Sequence, residues 1–442
     1  MRKPHNSDLE FESPRIIEQA QGEALRETVK YAAKHSPFYR RTFEALGVKH
    51  SDIKSAADIV KLPFTSKNDL QEHNRELFSV PDAEIAEIVS TTGTTGAPVY
   101  IALTVSDLDR LALNEARSFY CAGAAPEDRF HIAVTLDSLF MAGIAYYTGI
   151  VKLGCAAIRV GMHNVKRQVE LIRDLRPSGI VTVPTFLAKL AEALNNEPDV
   201  ARNLTLKKAL LVGDSIRDRD FRLNRLGNLL STLCDIELFS TYGNSESAIS
   251  FCECPQHLGG HEHPDLIISE IIGEDDHRLP DGEVGELVLT TLGVTGMPLV
   301  RYRTGDMAFK AAGKCPCGRN SARLGPVLGR KAQMLKFKGT KVYPGAIENA
   351  VLDVKGVTNY IIQAFTGDDF SDRIVLKVGC RRKSRKLAEE IRRGVEAAAR
   401  VKPEIEMLPA GEVDDLRTEG GTRRKPRMFM DLRDRNTAGE DN

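Results

Sequence analysis

The stretch GIVTVPTFLAKLAEALNNEPDVARNLTLKKALLVG, residues 179–213, places a helical stretch between two short apolar runs. The same alternation extends upstream through HIAVTL (131–136) and AAIRV (156–160), and downstream to IELFSTYG (236–243). Short apolar runs that alternate with amphipathic helices are typical of a parallel sheet covered by helices. The sequence therefore predicts an α/β fold.

The chain outside this region has a different pattern. Residues 266–310 are rich in short apolar runs separated by Gly and Pro turns, and a small α+β pattern begins after Gly329-Arg330. We therefore predict a large N-terminal domain over residues 1–329, with helix-covered β-sheets and a β-rich subdomain. A junction at 330–331 and a small α+β domain over 332–442 follow.

The composition restricts the class of protein. The 442 residues include 61 basic and 61 acidic side chains, and 42% of them are apolar. Zero net charge disfavours non-specific electrostatic binding to nucleic acid or to an anionic membrane. The longest charge-free apolar run, between Asp137 and Lys152, is too short to span a bilayer, and the polar N-terminus does not resemble a secretory signal. We expect a cytoplasmic protein without a nucleic-acid or membrane partner.

A loop rich in hydroxyl groups and glycine lies between two apolar runs. Its residues are Ser90, Thr91, Thr92, Gly93, Thr94, Thr95 and Gly96. Glycine lets backbone amides approach a phosphate closely, and the hydroxyls supply further neutral donors. The loop lacks the Gly-Lys-Ser/Thr ending of a Walker loop. A phosphate-binding loop is favoured over the alternative, a polar hairpin turn.

Half of the eight cysteines occur in two Cys-x-Cys pairs, and three histidines follow the first pair. These residues are Cys252, Cys254, His257, His261, His263, Cys315 and Cys317. Thiolate and imidazole groups are the ligands that Zn²⁺ prefers in tetrahedral sites. The spacing favours a zinc site in a reducing compartment, and free thiols in a surface turn are the alternative.

Four short motifs occur in the order found in the adenylate-forming superfamily, which includes acyl-CoA synthetases and luciferases. They are the Ser90–Gly96 loop, YGNSE (242–246), YRTGD (302–306) and Gly329-Arg330. Within that superfamily the chain resembles the phenylacetate–CoA ligase family over essentially its whole length. The segments that carry this closer resemblance are HSPFYRRTFEALGV (35–48), LPFTSKNDL (62–70), PLVRYRTGD (298–306) and KVYPGAIENAV (341–351).

The resemblance implies an ATP-dependent carboxylate–CoA ligase that acts on an aromatic or arylacetic acid. Such an enzyme forms an acyl-adenylate and pyrophosphate, and then transfers the acyl group to coenzyme A. ATP with Mg²⁺, coenzyme A and a small carboxylic acid would be its ligands, and a homodimer is left open. Two alternatives remain. One is an adenylyltransferase of the same family acting on a deazaflavin cofactor or a carrier protein, and the other is a non-catalytic adenylate-binding protein.

The resemblance also implies roles for the motif residues. The Ser90–Gly96 loop would hold the β- and γ-phosphates, and Glu246 would bind the Mg²⁺ that bridges phosphate oxygens. The nucleoside would be held by Tyr242 and Gly243 near adenine, Asp306 at the ribose hydroxyls, and Arg330 at the ribose or α-phosphate.

A lysine near the C-terminus completes the implied catalytic set. In the family this lysine stabilises negative charge during adenylation, and the small domain then rotates so that coenzyme A can enter. The mobile domain here would be 332–442, with 330–331 as its hinge. Counting back from Asp431 selects Lys425, whereas counting forward from Arg417 places Gly421 there. We assign Lys425, and the alternatives are a neighbouring arginine in this role or a weakened adenylation step.

The sequence departs from the family pattern at two places. Ala97 ends the phosphate loop where the family commonly has lysine, and Gly213-Asp214-Ser215 stands where an acidic Gly-x-Glu is common. Several apolar residues could line a pocket for the apolar part of the acid, although residues of the hydrophobic core would show the same pattern. These pocket candidates are Phe140, Met141, Gly143, Pro184, Phe186 and Gly213.

Some members of this ligase family hold a structural zinc between a Cys…His segment and a Cys-Pro-Cys-Gly turn. The resemblance maps the ligands onto Cys254, His261, Cys315 and Cys317, with Cys252 as the leading substitute. We expect this zinc to be structural, because the reaction requires no activated water.

Overall fold

The computed structural model describes residues 7–91, 98–337, 340–352, 354–366, 372–399, 401–418 and 427–433. The chain divides into two compact units, residues 1–327 and 328–442. Within the described ranges, no helix is both long and apolar enough to cross a membrane.

The first unit mixes helices with strands. Its helices are α1 (Pro14–His35), α2 (Pro37–Leu46), α3 (Lys67–Glu72), α4 (Val105–Cys121), α5 (Met141–Leu153), α6 (Val165–Leu175), α7 (Pro184–Asn195), α8 (Pro198–Arg202) and α9 (Arg225–Leu233). Its strands are β1 (Glu87–Ser90), β2 (Tyr100–Leu103), β3 (Arg129–Ala133), β4 (Ala156–Arg159), β5 (Gly179–Thr182), β6 (Lys208–Val212), β7 (Glu237–Asn244), β8 (Ile249–Glu253), β9 (Gly260–His261), β10 (Ile267–Ile272), β11 (Gly285–Thr291), β12 (Tyr302–Ala308) and β13 (Arg323–Leu324). The alternation of strands and helices from β3 to β7 confirms the α/β prediction.

The largest sheet of the first unit joins strands in the order β4-β3-β5-β6-β7-β8-β9-β13. From β4 to β7 all neighbours are parallel, and from β7 to β13 all neighbours are antiparallel. The sheet is therefore mixed, whereas the sequence pattern predicts only its parallel half. Because β4 and β5 flank β3 on opposite sides, the winding direction of the chain changes at β3.

Helices cover both faces of the parallel half. Val181 and Leu210 pack in one cluster with apolar side chains of α4 and α5. Their neighbours Ile180 and Leu211 pack in another cluster with side chains of α6, α7 and α9. Successive side chains of a strand point to opposite faces, so continuous apolar runs are required where both faces are buried.

The second sheet of this unit contains β10, β11 and β12, which run antiparallel to one another. Ile267, Ile271, Leu287 and Leu289 of this sheet pack against Phe251 of β8. The YRTGD motif begins at the first residue of β12, and the YGNSE motif begins near the end of β7.

The second unit is a small α+β structure. Its strands are β14 (Gly329–Arg330), β15 (Leu335–Phe337), β16 (Thr340–Val342), β17 (Val357–Thr366), β18 (Asp372–Cys380), β19 (Glu404–Leu408) and β20 (Phe429–Asp431). Its helices are α10 (Pro344–Leu352), α11 (Arg385–Ala399) and α12 (Ala410–Thr418). One sheet has the order β19-β18-β17-β20, and α11 buries Ile391, Val395 and Ala399 at intervals of four residues. This spacing places all three side chains on one helix face.

Candidate active site

The parallel strands bring the predicted pocket residues and Glu246 to one edge of the sheet. Chain segments leave the carboxyl ends of β3, β5, β6 and β7 at this edge. The residues that follow these ends are Phe140, Met141 and Gly143 after β3, Pro184 and Phe186 after β5, Gly213 after β6, and Glu246 after β7. Ligands of open α/β sheets bind outside the carboxyl ends, where the winding direction changes.

Two glycines of this edge have local structural reasons to be glycine. A Cβ atom on Gly143 would overlap the carbonyl oxygen of Thr135, so α5 begins in close contact with the segment after β3. Gly213 has φ +96°, in the region that other residues rarely adopt. At the same edge, Met141 and Pro184 are buried, whereas Phe186 is half-buried and packs with the α6, α7 and α9 cluster. The side chain of Phe186 therefore contributes to the core.

The base of the predicted phosphate loop is a β-hairpin of β1 and β2. Thr91 donates its backbone N–H to the carbonyl of Val99 at 3.0 Å, and Val99 donates its own to the Thr91 hydroxyl at 3.1 Å. The backbone N–H of Ser90 donates to the carbonyl of Leu139 at 3.0 Å, which joins the hairpin to the segment after β3. The remaining loop residues, Thr92 to Gly96, lie outside the described residues, as does Ala97.

The two tyrosine-containing motifs meet through hydrogen bonds. The Tyr242 hydroxyl donates to Oδ2 of Asp306 at 2.9 Å, and the Tyr302 hydroxyl donates to Oε1 of Glu246 at 3.2 Å. Burial, reinforced by the nearby Asp306 carboxylate, raises the pKa of Tyr242 well above its ordinary value. The Tyr242 ring also stacks on Phe251, with the ring centroids 6.0 Å apart. Tyr242 thus remains a protonated donor, and two hydrogen bonds link the YGNSE and YRTGD motifs.

The positively charged residues assigned to catalysis belong to the second unit. Arg330 lies in β14 of the second unit and is exposed. Lys425 and its neighbours Arg423 and Arg424 lie outside the described residues.

The predicted metal ligands lie close together. One ligand atom each from Cys254, His261, Cys315 and Cys317 lies within 4.8 Å of the others. The Sγ atoms of Cys254 and Cys315 are 3.6 Å apart, and Sγ of Cys317 is 3.4 Å from Nε2 of His261. The structure thus gathers three thiols and one imidazole from β9 and two loops, which is a donor set that suits Zn²⁺.

Hydrogen bonds around Cys317 favour negative charge on its sulfur, whereas burial raises the pKa of Cys254 to about 12. Burial alone would raise the pKa of Cys317, but hydrogen bonds from His261 and Arg319 lower it below its ordinary range. Nδ1 of His261 lies 3.3 Å from the hydroxyl of Ser321, a contact that orients the imidazole ring.

The other candidates in these segments have different partners. Cys252 lies in the apolar cluster of α4 and α5, where its sulfur accepts a hydrogen bond from Thr241 at 3.4 Å. His257 contacts Glu253 at 3.3 Å, and His263 contacts Glu10 at 2.6 Å. These three side chains are therefore occupied elsewhere, and the four mapped ligands form the cluster without the proposed substitute.

Comparisons with known proteins identify the family of this chain. Residues 18–297 match the family of AMP-binding enzymes. A phenylacetate-coenzyme A ligase of Thermus thermophilus is 31% identical to the chain, over 98% of the chain and 100% of that protein. This chain belongs to the AMP-binding enzyme family. A phenylacetate-coenzyme A ligase of Pseudomonas putida is 32% identical over 78% of each chain.

The fold of this AMP-binding enzyme is also that of a solved ligase. The crystal structure of 2-hydroxyisobutyryl-CoA ligase in the postadenylation state superimposes with a TM-score of 0.81. The match covers 99% of this chain and 94% of that one at 23% identity. At this identity the likeness concerns the fold.

Three residues of this AMP-binding enzyme lie beside the candidate sites although the sequence motifs alone predict no role for them. Tyr302 begins the YRTGD motif, in which the family resemblance implies a role only for Asp306. Arg319, directly after the Cys-Pro-Cys-Gly turn, contacts Sγ of Cys317 at 3.7 Å and donates to Glu10 at 2.8 Å. Arg319 could have been noticed from its position, whereas Glu10 lies 309 residues away and gives no local signal.

Proposed function

We propose that this AMP-binding enzyme is an ATP-dependent carboxylate–CoA ligase. A carboxylate oxygen attacks the α-phosphorus of ATP, the bond to the bridging oxygen breaks, and pyrophosphate leaves. The sulfur of coenzyme A then attacks the acyl carbon of the adenylate, AMP leaves, and the thiol proton is released. This proposal is supported by the hydrogen bonds that connect Tyr242 to Asp306 and Tyr302 to Glu246 at the carboxyl edge of the sheet. The chain also aligns over its length with a phenylacetate-coenzyme A ligase.

The site must allow one anion to attack another. Mg²⁺, when bound, would neutralise phosphate charge, and carboxylate oxygen from Glu246 is the ligand type that it prefers. Asp306 would accept hydrogen bonds from the ribose, and Arg330 and Lys425 would supply positive charge at the α-phosphate and the acid. Enforced proximity of the reactants provides a further part of the rate enhancement.

An arylacetic acid is our proposed substrate class. The relatives with about 30% identity act, by name, on phenylacetate. Met141, which also packs in a core cluster of the first unit, and Pro184 are buried apolar residues at the edge where an acid would approach, and Gly143 keeps the start of α5 close to that edge. An apolar surface beside the carboxylate position suits an aryl ring.

We further propose a structural Zn²⁺ bound by Cys254, His261, Cys315 and Cys317. Three thiolates and one imidazole would complete a closed tetrahedral site, which leaves no position for a reacting water. The zinc would stabilise the loops after β8 and β12 without entering the reaction.

Pyrophosphate release tests the proposed function. Purified protein would receive ATP, Mg²⁺ and one acid from a panel of phenylacetate, benzoate, 2-hydroxyisobutyrate and acetate, with and without coenzyme A. We expect phenylacetate or a close aryl analogue to give pyrophosphate, AMP and, with coenzyme A, the thioester. Glu246→Gln should lower the rate by at least about 100-fold, because a preorganised electrostatic group is lost. Glu283→Gln, at an exposed turn of the same unit, is the matched control.

Two results would contradict the proposal. No pyrophosphate with any acid would leave a non-catalytic adenylate-binding protein. Adenylate formation without thioester on addition of coenzyme A would favour an adenylyltransferase with another acceptor.

A further inference from the structure

The two nucleotide motifs exchange hydrogen bonds in a reciprocal pattern. Each motif has a tyrosine at its first position and a carboxylate at its fifth, namely Tyr242 and Glu246, and Tyr302 and Asp306. The tyrosine of each motif donates to the carboxylate of the other, at 2.9 Å and 3.2 Å. The two carboxylates expected to contact ATP are therefore each held by a phenol from the opposite segment.

Tyr302 is held in place by its surroundings. Its side chain is 1% exposed, and the flanking residue Arg301 donates from Nε and Nη2 to both oxygens of buried Glu270 at 3.0 Å. The guanidinium groups of Arg301 and Arg303 lie 4.0 Å and 4.2 Å from the centroid of the Phe64 ring. The carbonyl oxygen of Thr65 accepts a hydrogen bond from the backbone N–H of Arg303 at 2.8 Å. The Tyr302 hydroxyl is thus presented from a rigid frame.

Glu246, by contrast, lies in a turn. Residues 245–248 connect β7 to β8, and Ala248 has φ +47°. The residue Glu246 is partly exposed, and its carboxylate accepts a hydrogen bond from the Tyr302 hydroxyl. A carboxylate on a turn gains orientation from a donor on a fixed strand.

We propose that Tyr302 is a positioning residue for Glu246, and Tyr242 a positioning residue for Asp306. The phenol binds one oxygen of each carboxylate and restricts its rotation, so that less conformational freedom is lost when ATP with Mg²⁺ binds. Tyr302 then sets the affinity for the cation, and Tyr242 sets recognition of the ribose. This inference rests on the proposed function, since the cation and the ribose both belong to the complex of ATP with Mg²⁺.

Two phenylalanine variants separate these roles, because each removes one hydroxyl and keeps the ring. Binding of ATP and of 2′-deoxy-ATP would be measured by calorimetry at a series of Mg²⁺ concentrations, on protein whose melting temperature is also recorded. Tyr302→Phe should raise the half-saturating Mg²⁺ concentration about ten-fold and leave the preference for ATP over 2′-deoxy-ATP unchanged. Tyr242→Phe should reduce that preference and leave the Mg²⁺ requirement unchanged.

A double-mutant cycle tests whether Tyr302 acts through Glu246. Adding Tyr302→Phe to Glu246→Gln should not raise the half-saturating Mg²⁺ concentration any further, because the carboxylate that Tyr302 orients is already absent. Equal shifts of both readouts in both single variants, additive effects in the cycle, or unchanged binding in both would overturn the inference while the ligase activity stands. Failure of the wild-type protein to bind ATP at any Mg²⁺ concentration would overturn the proposed function as well.

Discussion

Cys317 is the cysteine with the most polar surroundings in the candidate zinc cluster. Its sulfur contacts His261 and Arg319, and Arg319 is in turn bound by Glu10. Burial would raise the pKa of Glu10, but the charges and hydrogen bonds of His263 and Arg319 lower it to about 2. A charged carboxylate therefore holds the cation that contacts the thiolate, which is an outer shell of the kind that orients metal ligands.

We predict that purified protein contains close to one zinc per chain and that Cys317→Ser loses it. A structural metal stabilises only the folded state, so the variant should melt at a temperature lower by roughly 5 °C or more. Metal analysis and thermal unfolding would be compared with Cys234→Ser, whose partly buried thiol caps α9 away from the cluster. Wild-type protein that is purified without chelator and contains no zinc would contradict the assignment.

A zinc site could be predicted because two Cys-x-Cys pairs followed by histidines are a local pattern, and the family resemblance supplied the four ligands that the structure brings together. The partners of these ligands could not, since Glu10 reaches Arg319 only through the folding of the N-terminal segment onto a loop 309 residues later. That Cys252 is not one of the four clustered ligands could not be predicted either, because the direction of its side chain depends on packing against α4 and α5. Lys425 and most of the phosphate loop stay sequence predictions.

At the scale of elements, the contact between α4 and α5 depends on one glycine. A Cβ atom on Gly149 of α5 would overlap the Cβ atom of Glu115 of α4 and lie 3.0 Å from the backbone nitrogen of Ala116. Glu115 is buried, which raises its pKa to about 7. The two helices approach so closely that a methyl group has no space between them.

Gly149→Ala should therefore destabilise the first unit, although alanine is the better helix former. We expect the free energy of unfolding to fall by about 1–3 kcal/mol, the usual effect of overpacking. Val151→Ala on the same helix is the control, since Val151 is 51% exposed and its truncation should change the free energy by less than about 0.5 kcal/mol. Denaturant titrations that show equal stability for both variants would contradict the close packing of α4 and α5.

The elements that the sequence predicts well are those with a strong local period. The strands β3 to β7 and the helices between them repeat an apolar pattern that follows directly from burial on both faces. The antiparallel extension through β9 and β13 is different, because each of these strands has only two residues. Such strands form where tertiary pairing brings backbone groups together, and two residues carry no periodic signal.

For the whole molecule, the proposed reaction requires different charges in its two steps. During adenylation, negative charge develops at the α-phosphate and the acid, whereas thioester formation begins from an adenylate whose pyrophosphate has left. The division into two units, 1–327 and 328–442, separates the carboxylate-rich motifs from the C-terminal lysine in sequence. A cation from the second unit could therefore serve one step alone.

We predict that Lys425→Ala slows formation of acyl-AMP by about 10²–10³-fold, the effect of losing one preorganised donor. The same variant, supplied with synthetic acyl-AMP and coenzyme A, should form thioester at nearly the wild-type rate. Pyrophosphate release measures the first step, and thioester formation from the synthetic adenylate measures the second.

Arg423→Ala and Arg424→Ala test how the C-terminal segment aligns with the family. Gly420-Gly421 permits two alignments, which place different residues at the position of the catalytic lysine. If Lys425 provides the charge, both arginine variants should adenylate at rates close to wild type. An arginine variant that loses adenylation alone, beside a normal Lys425→Ala, would move the catalytic cation to that arginine. If neither step changes in any of the three variants, the charge that stabilises adenylation does not come from this segment, since a donor that contacts the α-phosphate cannot be removed without slowing the step in which negative charge develops there.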